Sequence, residues 1–240
     1  MMSITRRVAI AAISGFALVA CGAADSQDRA QSTSGPAEGL QPGDRALGSA
    51  DAPVTLIEYA SITCPHCATF HQTVLPSIKE DYVATGKVRF VFRDFPTAPA
   101  NIAIAGFALA RCQGDDASYF AILDDLFENQ AGILSAARAG AAKGALQAVG
   151  QRHGLETEEA FDACLQDNDV RREIADVVGY GDANGVTSTP TLFINDRRIE
   201  RNEEWFTPEG LSAIIDRELG VEPAPAETEA PAEAEDGTAE

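Results

Sequence analysis

The sequence predicts an α/β fold in which a strand–helix–strand unit and a strand–strand–helix unit flank a helical insertion. Three observations carry that prediction. A continuous run, Val54-Thr55-Leu56-Ile57-Glu58-Tyr59-Ala60, leads within a few residues into a helical period. A block from about residue 98 to 185 is almost wholly helical in pattern. Beyond it, strand-like runs return, and a last helix carries signals at both of its ends.

The folded domain is expected over residues 44–220. Residues 54–60 are apolar on both faces, which suits a central strand covered by helices. After Ser61-Ile62-Thr63 comes Cys64-Pro65-His66-Cys67, then a helix on which Phe70, Val74, Ile78 and Tyr82 recur every four residues. Pro76 should kink that helix and Gly86 should end it. Residues 87–95 read as a second strand, with Val88, Phe90 and Phe92 on one face; a strand–helix–strand unit implies parallel strands and a right-handed crossover. In the helical block, Ile104, Phe107, Ala108 and Arg111 mark one helix, and Phe120, Leu123, Leu126 and Phe127 a second. Leu146 and Val149 mark a weaker third. Thr157 caps a fourth, with Glu158 and Glu159 in its first turn and Phe161 and Leu165 inward. Val170, Ile174, Val177 and Gly181 form a fifth, closed by Gly185. Residues 191–194 and 198–200 read as two strands joined by an Asn195-Asp196-Arg197 turn. The last helix has Thr207 as N-cap, Pro208 in its first position, a Leu211, Ile214 and Ile215 stripe, and Gly220 beyond its end, with Trp205 packing against it. With the helical block removed, this order is that of a thioredoxin-like fold.

The flanks of the domain differ from it in composition. Arg6-Arg7 precede a mostly apolar run, residues 8–20, too short to span a bilayer comfortably and right for a signal peptide. The run ends in Leu18-Val19-Ala20-Cys21, which resembles a bacterial lipobox. That resemblance implies cleavage after residue 20 and lipidation of Cys21, hence a membrane anchor and an extracytoplasmic, periplasmic location. Residues 21–43 are rich in Ser, Gln, Gly, Ala and Asp and read as a flexible tether. Residues 221–240 hold seven acids and no base, and read as a disordered acidic tail. The formal charge of the 240-residue chain is −19, which sets it against phosphate backbones and excludes nucleic acid as a partner.

Export bears on the five cysteines. With Cys21 lipidated, Cys64, Cys67, Cys112 and Cys164 remain, an even number that suits an oxidising compartment. Cys64 stands where a strand passes into a helix. Unsatisfied N–H groups and the helix dipole at such a point favour a thiolate. His66 adds a donor. Cys67 lies one turn on, close enough for the two sulfurs to bond, and is the less exposed. Cys64 is therefore the sulfur that exchanges with a client and Cys67 the one that resolves the mixed disulfide. Half a zinc site is the first alternative, but with three His and no second CxxC its other ligands are hard to assemble. A purely structural disulfide is the second. Cys112 and Cys164 fall on different helices of the insertion, and outside the cytoplasm a structural disulfide between them is expected, with two buried thiols or a second redox pair as the alternatives.

The stretch Asp51-Ala52-Pro53-Val54 through Cys64-Pro65-His66-Cys67, then Val91-Phe92-Arg93-Asp94-Phe95-Pro96 and Gly185-Val186-Thr187-Ser188-Thr189-Pro190-Thr191, resembles the DsbA family of bacterial disulfide oxidoreductases. The resemblance implies a cis peptide at Thr189-Pro190 facing the CxxC, with the Thr189 backbone free to pair with an extended client. It implies a buried acid beneath the cysteines, Glu58, that accepts or supplies the proton of Cys67. It also implies an enzyme that oxidises reduced or unfolded exported proteins, needs no cofactor or metal of its own, and is re-oxidised by a membrane DsbB-type quinone-linked oxidoreductase. Two other functions fit the same residues: a reductase or isomerase for particular clients such as an apocytochrome, and a non-catalytic lipid-anchored binding protein or chaperone. His71 is read as a residue of the helix surface.

Overall fold

The computed structural model describes residues 40–195, 197–200 and 204–221. The signal segment, Cys21, residues 22–39 of the tether, Asp196 and residues 222–240 of the tail lie outside the described residues. Strands β1 (Arg45–Leu47), β2 (Val54–Ala60), β3 (Val88–Asp94), β4 (Thr191–Ile194) and β5 (Arg197–Arg198) form one sheet among the described residues, in the order β1-β3-β2-β4-β5. β2 and β3 are parallel, from Val54 opposite Val88 to Ala60 opposite Asp94. The other three pairings are antiparallel. The central strand β2 is buried on both sides, as its apolar run requires: Val54, Leu56 and Ala60 face the larger core, Ile57 and Tyr59 the smaller.

The helix after Cys64 is broken rather than merely kinked. Helix α1 (Pro65–Thr73) gives way at Val74 to α2 (Leu75–Ile78) and a π-helical turn, Lys79–Val83. Pro76 has no N–H to continue the ladder, which accounts for the break. Gly86, at φ +75°, ends the segment.

The insertion holds six helices among the described residues: α3 (Ala100–Arg111), α4 (Asp116–Glu128), α5 (Gln130–Arg138), α6 (Ala142–Arg152), α7 (Glu158–Gln166) and α8 (Asn168–Ala183). Five of these occupy the expected helical segments, but the stripe of α3 is shifted: Ile104, expected inward, is exposed, and Ile102 and Ala103 are buried instead. The sixth, α5, was not expected, because it buries only Gln130 and Ile133 and so has no apolar period to read. Asp115, Thr157 and Asp167 cap α4, α7 and α8 through their side-chain oxygens. Cys112 and Cys164 are joined in a disulfide that ties the end of α3 to α7, with a Cα–Cα distance of 5.5 Å. α8 lies close on the smaller core. A Cβ at Gly181 would fall 2.7 Å from the Phe95 ring, so glycine permits that approach. The last helix, α9 (Pro208–Glu218), has Thr207 as its N-cap, accepting from the Gly210 N–H. Trp205 packs edge-on against Phe70 of α1 and against Phe206.

Two expected boundaries need correction, and one strand was not expected. The fold begins before residue 44: Tyr180 donates to the Pro42 carbonyl at 3.1 Å and Arg111 to the Gly43 carbonyl at 2.9 Å, so the end of the supposed tether is part of the domain. β1 follows at once. Its three residues have no legible period, and buried charges lock it in place. Arg93 donates twice to Asp44, at 2.7 Å each, and to the Tyr59 hydroxyl at 2.6 Å. Arg111 and Tyr119 both donate to Asp94, at 2.5 and 2.7 Å. Removing one partner from so buried a pair costs about 3–5 kcal/mol. Finally, β5 is Arg197–Arg198 rather than residues 198–200, because Asn195, at φ +51°, turns the chain sooner.

Candidate active site

The site lies where the C-terminal end of β2 passes into α1. Cys64 is the N-cap of α1, with extended backbone angles, and Pro65 takes the first helical position. The loop before it is pinned from several sides. Ser61 Oγ bonds Thr63 Oγ1 at 2.9 Å and accepts from the Thr97 N–H at 3.1 Å. Gln130, from the unexpected helix α5, donates to the carbonyls of both Ile62 and Cys64 at 2.9 Å. Gly106 of α3 sits against Ile62, where a Cβ would fall 2.5 Å from Cδ1. The insertion therefore braces the cysteine loop directly.

The two thiols are unlike. Cys64 keeps 9% of its surface and Cys67 none. The Cys64 thiol donates to the Thr189 carbonyl at 3.4 Å, and the Thr189–Pro190 peptide is cis. A hydrogen bond from Cys67 does most to lower the pKa of Cys64, to about 5. Burial opposes it, while the Thr189 side chain and the backbone N–H groups of Cys67 and His66 assist. Those N–H groups are the unsatisfied donors of the helix start. Cys67 is pushed strongly the other way, first by burial, then by its bond to Cys64 and the charge of Glu58. One sulfur is thus a thiolate at neutral pH and its neighbour a thiol.

Pro65 and His66 are exposed, and the His66 ring lies 6.3 Å from that of Phe206. A cleft of about 590 Å³ opens there between His66, Thr189, Pro190, Trp205 and Phe206. Glu58 is fully buried in β2 on the face of Val54 and Leu56, under α1. His71 does not lie on the helix surface. Its side chain is 2% exposed, stacks on Phe127 at 3.9 Å and meets Glu58 Oε2 at 2.8 Å. Burial opposes its charge, but Glu58 and the nearby Asp124 outweigh that and raise its pKa. The readable signal was its position: His71 is one turn beyond Cys67 and next to the inward residue Phe70. Gln130 had no such signal.

A parallel β-α-β unit with a slightly accessible thiolate at a helix start, a fully buried thiol one turn on and a cis-proline loop opposite them define a thioredoxin-type dithiol protein. The chain belongs to the thioredoxin family, which it matches over residues 40–217. Among individual proteins it is similar to one from Rickettsia bellii, provisionally named a protein-disulfide oxidoreductase, at 31% identity over 73% of this chain and 64% of that one. The chain thus spans a little under two thirds of that relative's length. It is 24% identical to disulfide bond formation protein D of Bacillus subtilis, over 74% of this chain and 78% of that one. Among solved structures, α-DsbA1 of Wolbachia pipientis superposes with a TM-score of 0.64 at 29% identity, covering 75% of this chain and 93% of that one. The DsbA resemblance carried by the motifs and the thioredoxin-like fold both stand.

Proposed function

We propose that this protein is an extracytoplasmic thiol–disulfide oxidoreductase that oxidises pairs of client thiols through Cys64 and Cys67. The observation that carries the reading is the asymmetry of the pair, an accessible sulfur with a pKa near 5 beside a fully buried one whose pKa is raised. A client thiolate attacks Cys64 Sγ, the Cys64–Cys67 bond breaks, and Cys67 leaves and takes up a proton. A second client thiolate then attacks the client sulfur of the mixed disulfide and expels Cys64. Cys64 leaves as a thiolate stable at neutral pH, so the reduced enzyme is favoured and the disulfide is a strong oxidant. Two client thiols become one disulfide, and the enzyme keeps the electron pair.

Thr189 and Pro190 serve as the docking edge for an extended client, a role supported by the Thr189 carbonyl lying against Cys64. His66 and the aromatic wall of Trp205 and Phe206 add an apolar surface that suits unfolded chains. The lipobox-like segment ending at Cys21 supports lipid anchoring outside the cytoplasm, and a DsbB-type quinone-linked membrane protein is the partner that would take the electrons. The Cys112–Cys164 bridge is structural in this reading.

The test is the reduction potential of the Cys64–Cys67 pair, read by equilibrating the full chain in detergent with glutathione buffers and trapping thiols by alkylation. The expected value is near the oxidising end of the family, about −120 mV. A value near about −270 mV would make the protein a reductase and remove the quinone-linked partner.

A further inference from the structure

We propose that His71 extends the buried acid Glu58, whose proton exchange with Cys67 the DsbA resemblance already implies, into a proton path to a second cleft, one that shares no lining residue with the cleft beside Cys64. The inference rests on the exchange chemistry proposed above and adds the route by which that chemistry moves its proton.

Each breaking of the Cys64–Cys67 bond leaves Cys67 needing a proton, and each re-formation requires Cys67 to lose one. Cys67 has no exposed surface through which to trade it. Four residues along α1, on the same side of the helix, lies His71. His71 Nε2 and Glu58 Oε2 are 2.8 Å apart, with both side chains out of solvent. One polar atom at each end of this pair is buried without a hydrogen-bond partner, Glu58 Oε1 and His71 Nδ1. A pair kept only for structure would be expected to have such atoms satisfied. Glu58 is near enough for its charge to act on Cys67, and these two atoms are the open ends of the proposed chain.

The outer end leads to solvent. His71 Nδ1 lies 3.9 Å from Asp124 Oδ1, and Asp124, half-exposed, also holds the Lys79 ammonium at 2.7 Å. His71, Lys79 and Asp124 line a cleft of about 630 Å³. Phe127 stacked at 3.9 Å and the edge-on Phe92 at 5.7 Å hold the imidazole ring with Nε2 toward Glu58 and Nδ1 toward Asp124, so that one nitrogen takes up a proton as the other releases one. The charged or titratable groups around His71 are Glu58 from β2, Asp124 and Glu128 from α4, Lys79 and Glu80 from the turn after α2, and Cys67 on α1 itself; β3 presents the apolar Phe92.

When the client thiolate bonds to Cys64, Cys67 leaves as a thiolate and takes the proton shared by Glu58 and His71. The pair is refilled from the cleft through Nδ1. On re-oxidation the proton leaves by the same route. No electrons move beyond those of the sulfur exchange. His71 touches no reacting sulfur in this scheme and acts through Glu58.

The test is single-turnover reduction of the Cys64–Cys67 disulfide of the full chain by dithiothreitol, followed by acid quench and alkylation from about pH 5 to pH 9. This exchange occurs whether the protein serves as oxidase or reductase, so the proposed direction of catalysis, read separately from the reduction potential, can fail without this inference failing. His71→Ala should slow the step about a hundredfold, the usual scale of a lost acid–base group. Added imidazole, entering the cleft, should restore the rate with a pH profile that follows the added base. Asp124→Asn removes a charge that supports the protonated ring and should move the midpoint of the wild-type profile to lower pH. A His71→Ala protein that reacts as fast as wild type, or that is slow and deaf to imidazole while unfolding at the wild-type temperature, would overturn the path. If His71→Ala does not fold, an unshifted Asp124→Asn profile overturns it instead.

Discussion

The protein carries two cysteine pairs, and they differ in almost every physical respect. Cys64 and Cys67 share one turn at a helix start and stand as free thiols. Cys112 and Cys164 are 52 residues apart in sequence, lie on two helices and are bonded. The first pair sits among unsatisfied N–H groups, a buried acid and a cleft. The second lies in the insertion, and Cys164 is 3% exposed. Reactivity here follows the surroundings of the sulfur rather than the presence of two sulfurs within reach of each other.

The sharpest way to break this comparison is to remove the Cys64 sulfur. Cys64→Ser should abolish oxidation of a reduced client peptide, while Cys112→Ala/Cys164→Ala should keep it; loss of activity in the second variant alone would reverse the roles. Next in size is a pH effect. Alkylation of Cys64 in the reduced protein should be level above about pH 6 and fall roughly tenfold per pH unit below its pKa of about 5. The same titration enters stability. The thiolate's advantage in the reduced folded protein is complete only above the ordinary thiol value of 9.0, shrinks as pH falls and is gone below about 5. The stability of the reduced form relative to the oxidised form should therefore rise with pH across that window in denaturant titrations.

The second pair should matter to stability instead. Opening a loop of this length costs about 2–4 kcal/mol, so the Cys112→Ala/Cys164→Ala protein should unfold at a lower denaturant concentration with its client oxidation intact. The smallest effect is expected at the cleft. Trp205→Ala should weaken the apparent affinity for an unfolded peptide by about tenfold, the scale of one aromatic anchor, and leave exchange with glutathione unchanged.

What could be read from the sequence divides along the same line as the cysteines. Cys64-Pro65-His66-Cys67, the strand before it, the Thr157 and Thr207 caps and the Thr189-Pro190 pair are local signals, each complete within a few residues. Glu58 was legible only with the DsbA resemblance in hand. His71 was misread because a polar residue on a helix that leads out to exposed Gln72 and Thr73 looks like surface until β2 and α4 close over it. Gln130 and β1 were missed for a related reason. The two carbonyls that Gln130 holds and the Asp44–Arg93 pair that anchors β1 are formed by residues 49 to 68 positions apart, with no local period to announce them.

The sheet ends in strands of three and two residues, β1 and β5, the latter made of two arginines. A protein proposed to handle unfolded chains works among segments ready to add themselves to any open sheet margin, and long bare margins invite clumping. Margins this short and charged give such segments little to grip. In the proposed role the client's backbone is left to pair at Thr189, beside the sulfur.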